Sequence, residues 1–187
     1  LRAQVLEVNS LDLDPPPGVT WEDWLFEEME AVAQVTGVQF GLDLLVEASQ
    51  IALRQRQQYI ERTGHDTSLS LKDVKLALSS CSPPRGKRAD YRTSAETALS
   101  LLIGSEKCPL FATRRGLPMQ RILAGRYIMP CPYISGAQAR FLGLHLFKYM
   151  RHSARNCETT TLRHMTVIDD ASKFLSRSDS AFGSGPK

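Results

Sequence analysis

No aspartate or glutamate occurs between Lys107 and Cys157, and no apolar run is long enough to cross a bilayer. Cys81, Cys108, Cys131 and Cys157 lie more than twenty residues apart with no C-x-x-C pair. That spacing argues against a zinc centre and for isolated thiols in a reducing compartment. Also missing are a Gly-rich phosphate loop, H-E-x-x-H, G-x-S-x-G and any kinase signature. The expectation is therefore a chain with no catalytic residue, metal or cofactor. No signal-peptide pattern opens the chain, which starts at Leu1 rather than Met, so a targeting segment removed ahead of it is allowed for.

The composition, 42% hydrophobic and 23% charged, is that of an ordered globular chain rather than a disordered one. Its net charge of +3 conceals a strong asymmetry. Residues 1–47 carry ten acids against the single base Arg2. The acid-free stretch holds Lys107, Arg114, Arg115, Arg121, Arg126, Arg140, Lys148, Arg151 and Arg155. Two readings stay open: these bases contact DNA, RNA or an acidic partner, or the acidic part packs on the basic part within the chain.

The pattern predicts a mainly helical, all-α chain. Residues 1–19, ending in Asp14-Pro15-Pro16-Pro17-Gly18, read as an extended arm. Thr20-Trp21-Glu22-Asp23 has the form of a capping box and opens a helix over 21–34 that stops at Gly37. A second helix is expected over 41–62, ending at Gly64, and Ser70-Leu71-Lys72-Asp73 caps a third over 71–80. Val38, Leu44, Leu45, Ala48, Ile51, Ala52 and Tyr59 recur at helical spacing, and Val74, Ala77 and Leu78 extend that stripe. The stripe is expected to be a partner interface, so the chain alone should aggregate.

Beyond the 20–80 unit, residues 81–136 read as a linker containing Arg85-Gly86-Lys87-Arg88, a helix capped by Thr93-Ser94-Ala95-Glu96, and an extended proline-containing segment. A basic helix over 137–155, a weak final helix over 162–175, within a unit covering 137–177, and a loose tail over 178–187 complete the prediction. The acids of 21–30 are taken as a helix's polar face, and His145 and His152, seven apart, as surface histidines sharing one face.

The stretch from Tyr59 to Leu78, with Thr63-Gly64-His65-Asp66, Leu69 and the Ser70/Asp73 cap, resembles the second loop and third helix of a histone fold. Downstream, Pro109-Leu110, Gly116-Leu117-Pro118-Met119-Gln120-Arg121 and Pro132-Tyr133 look like the region after the histone fold in the TBP-associated factor nine family. That resemblance, over roughly residues 30–133, implies a heterodimer with a TBP-associated factor six-like histone-fold chain. It implies a nuclear setting in transcription initiation, in TFIID or SAGA-type coactivators. A rival likeness rests on Gly125-Arg126-Tyr127-Ile128-Met129-Pro130, Ile134-Ser135-Gly136 and the helix carrying Arg140, Lys148 and Arg151. It is similar to small-subunit ribosomal protein eighteen and implies a strand, a turn and a helix on ribosomal RNA, in an organelle such as the mitochondrion.

Overall fold

The computed structural model describes residues 4–5, 13–38, 41–81, 87–104, 119–125, 127–128, 134–155 and 165. The fold is all-α: α1 (Trp21–Thr36), α2 (Leu42–Thr63), α3 (Leu71–Ala77), α4 (Lys87–Ile103), α5 (Met119–Ala124) and α6 (Gly136–Arg155). Two-residue segments β1 (Gln4–Val5) and β2 (Tyr127–Ile128) pair in parallel, too short to form a layer.

Local chemistry sets the ends of the first three helices. The Thr20 hydroxyl accepts from the Asp23 backbone N–H at 3.1 Å, and α1 stops where Gly37 turns to a φ of 72°. α2 ends in the same way at Gly64. At α3, Ser70 accepts from the Asp73 N–H while the Asp73 carboxylate accepts from the Ser70 N–H, a complete capping box. A single 3-10 turn, Leu78–Ser80, then carries the chain to Cys81.

α4 begins earlier than the sequence indicates. Lys87 and Arg88, read as linker, lie in its first turn. The Thr93 and Ser94 hydroxyls, read as caps, instead donate back to the Ala89 and Asp90 carbonyls four residues earlier, in mid-helix. Of the predicted helix over 162–175 only Met165 is described, exposed and not helical; its other residues and the tail lie outside the described residues.

One continuous core joins these elements. α2 packs on α1, α3 and α4, and α6 packs on α1 and α4. The end of the arm, from Leu13, is part of this core as well. Leu13 is buried, its N–H donates to the Leu69 carbonyl at 3.2 Å, and its carbonyl accepts from the Trp24 indole N–H at 2.9 Å.

The approach of α4 to the start of α2 requires a glycine. Gly41 has a φ of 138°, and a Cβ there would stand 3.3 Å from the Tyr91 carbonyl oxygen. Gly41→Ala is expected to destabilise the fold by about 1–3 kcal/mol, read from urea unfolding.

Cys81 is buried at the end of the third helical segment. Its thiol is pushed above its ordinary value of 9.0, first by burial and then by the Glu47 carboxylate, with Arg92 opposing. The folded chain therefore holds its proton where the unfolded chain releases it. This contribution is whole below the unfolded value and is lost as pH rises beyond it. Stability relative to Cys81→Ala should fall as pH rises through and beyond the ordinary thiol value of 9.0 in paired urea titrations.

Candidate functional site

The predicted partner interface is largely the chain's own core. Leu44, Leu45, Ala48 and Ala52 are buried against the neighbouring helices, as are Val74, Ala77 and Leu78. Val38 and Ile51 are half-buried and pack on the same cluster. Apolar surface already removed from water inside one chain offers a partner nothing further, so this assignment is corrected. Of the named stripe, Tyr59 alone is exposed.

The basic residues divide. Arg121 and Arg151 are exposed and Arg140 is half-buried on the outer side of its helix. Lys148, expected to contact a polyanion, turns inward instead: its ammonium donates to the Glu27 carbonyl and lies 3.8 Å from the Glu28 carboxylate. Lys107, Arg114, Arg115 and Arg126 lie outside the described residues, as does the side chain of Arg155.

The inward contact belongs to a cluster that sequence reading missed. Glu28 and His145, both 0% exposed, approach to 3.0 Å between Oε2 and Nδ1. With Glu28 ionised, the proton stands on Nδ1 and the imidazole donates. His152 Nε2 lies 3.1 Å from the Glu27 carboxylate. The Trp24 ring lies against both histidines and packs edge-on to Tyr149, its centroid 5.6–5.9 Å from the three rings. The acids of α1 are thus not simply a polar face, and His145 is no surface histidine. The signal was available: Glu28 stands four residues from both Trp24 and Val32, inside the apolar stripe, and His145 stands between Phe141 and Tyr149 in another. Sealed from solvent, the Glu28–His145 pair cannot meet a substrate. It clamps α6 onto α1, an internal match between the acidic and basic parts.

A concave surface lies elsewhere. α2, at 22 residues, spans about 33 Å and outreaches α1 and α3. Within residues 54–63 every side chain except Arg56 and Ile60 is exposed. A groove of about 510 Å³ runs along this end, lined by Gln55, Gln58, Tyr59 and Arg62 of α2 and by Thr67 and Leu69 of the following loop. Arg56 braces its wall. Its guanidinium lies over the Trp21 ring at 4.8 Å, pairs with Asp66 at 3.0 Å and donates to the Thr67 carbonyl. Among the described residues, no group of three or more His, Cys, Asp or Glu is placed to hold a metal.

Compared with protein-family models, with curated proteins and with solved structures, the chain matches none.

Proposed function

We propose that this chain is a non-catalytic docking subunit of a nucleic-acid-handling assembly, meeting a protein partner with the projecting end of α2. The observation that carries this is the largely exposed stretch 54–63, with Tyr59 and Arg62 lining a groove of mixed polar and apolar surface. Tyrosine and arginine are the side chains that most often dominate binding energy at protein interfaces. The histone-fold likeness of residues 59–78 supports a second histone-fold chain as that partner, in a nuclear transcription-initiation or coactivator complex. Because the α2 stripe is closed from within, the partner engages the helix's end and loop rather than its buried face.

The acid-free stretch supports a nucleic-acid setting. Within it, β2 followed by α6 gives the strand-then-helix order that the ribosomal likeness requires, which favours an organellar small-subunit ribosomal protein as the second reading. Affinity purification of the full chain from native extract, with and without ribonuclease, tests both. Recovery of histone-fold subunits in either condition supports the first reading. Loss of all partners on ribonuclease treatment, with ribosomal RNA present before it, supports the second. Recovery of the chain alone overturns the proposal. Tyr59→Ala with Arg62→Glu should weaken a protein partner's binding by about 2 kcal/mol or more.

A further inference from the structure

α1 and α6 pack side by side, each burying one face, so their opposite faces form a single two-helix outer layer. The seam between them reaches solvent at Glu27 and Lys148, whose side chains are 28% and 20% exposed. On the α1 side, Asp23 and Glu30 are exposed, seven residues apart and therefore on one face, with Phe26 beside them at 45% exposure. On the α6 side, Arg140, Phe147 and Arg151 follow at spacings of seven and four, again on one face, and Phe147 is also 45% exposed. The layer is thus half acidic and half basic, with one exposed phenylalanine in each half.

A polyanion laid on the arginines would run beside the α1 carboxylates, and a uniformly charged partner would match only one half. A two-fold axis along the seam places α1 of one copy over α6 of the other, and the same operation places α6 over α1. An isologous interface needs just this self-complementarity. We infer that the outer α1–α6 layer is a homodimer interface, in which the Asp23/Glu30 stripe of each copy meets the Arg140/Arg151 stripe of its mate. The layer is about 24 Å long, set by α1, and about 20 Å wide. Both copies together would bury about 1,000 Å², the lower bound of a specific interface, so association in the micromolar range is expected. This surface is separate from the end of α2, and the inference does not rest on the docking role proposed above.

Sedimentation velocity on the purified full chain at about 100 µM, well above such a dissociation constant, is the test. The wild type is expected at twice its 20.9 kDa mass. Asp23→Lys/Glu30→Lys and Arg140→Glu/Arg151→Glu, each alone, should weaken association more than about a thousandfold and sediment mainly as monomers at this concentration, because like charges then face each other. Asp23→Lys gives up the bond from the Thr20 hydroxyl to the Asp23 carboxylate at 2.8 Å, but the residue 23 backbone N–H keeps its bond to Thr20. Mixed in equal amounts, the two variants should dimerise again, since each then offers the other's complement. Phe26→Ser/Phe147→Ser supplies an uncharged disrupting variant if either charge variant lacks wild-type helicity. A monomeric wild type, a dimer indifferent to these substitutions, or a mixture of the two helical charge variants that stays monomeric overturns the inference.

Discussion

Trp24→Ala is expected to lower stability by about 3–5 kcal/mol, a large part of the roughly 5–15 kcal/mol that holds a typical domain together. Three losses coincide at this position. The buried indole is removed from the junction of the arm, α1 and α6. The Leu13 carbonyl loses its donor, and an unsatisfied buried acceptor is itself costly. The aromatic contacts to His145, Tyr149 and His152, which align α6 on α1, vanish together. Urea unfolding followed by far-ultraviolet circular dichroism measures the change. Trp24→Phe keeps an aromatic plug but no indole donor, so it should fall between the wild type and alanine. Equal stability of all three proteins would mean that α6 is not seated through Trp24.

The second large effect concerns the buried acid–histidine pair. Glu28→Leu alone should destabilise by about 3–5 kcal/mol, because it leaves the buried His145 without its carboxylate partner. Replacing both members, Glu28→Leu with His145→Leu, should recover much of that loss. Two apolar side chains of similar volume need no desolvation of charge, and such replacements of buried pairs are often neutral or stabilising. A double-mutant cycle by urea unfolding isolates the coupling between them. Strictly additive single effects would show that the 3.0 Å contact contributes nothing specific.

The parts of this fold governed by local rules were legible in the sequence. The caps at Thr20 and Ser70 and the stops at Gly37 and Gly64 depend on neighbours three or four residues away, and they place α1, α2 and α3 to within two residues or so. The same rule misled at Thr93-Ser94-Ala95-Glu96, because a hydroxyl that can cap a helix can also back-bond inside one. The stripe from Val38 to Ala52 was equally plain, but periodicity states that a face is covered and not what covers it. The cover is α1, α3 and α4 of the same chain. Long-range pairing was out of reach for the same reason. Glu28 and His145 stand 117 residues apart, and the polarity of each in an apolar stripe was the only local trace of their meeting. The exposed end of α2 differs from its buried half in composition, with Arg54, Gln55, Gln57 and Gln58 replacing leucine and alanine, so the boundary of the groove could have been drawn earlier.

Hydrogen exchange by mass spectrometry on the isolated chain addresses the central claim most directly, that the long helix is closed by its own chain and needs no foreign one to fold. With no other protein present, amides of residues 44–53 should be among the slowest to exchange, α6 should be protected with them, and residues 57–63 should exchange faster. Rapid exchange throughout 44–53, slowed only when a second protein is added, would contradict the account and return that stripe to a partner.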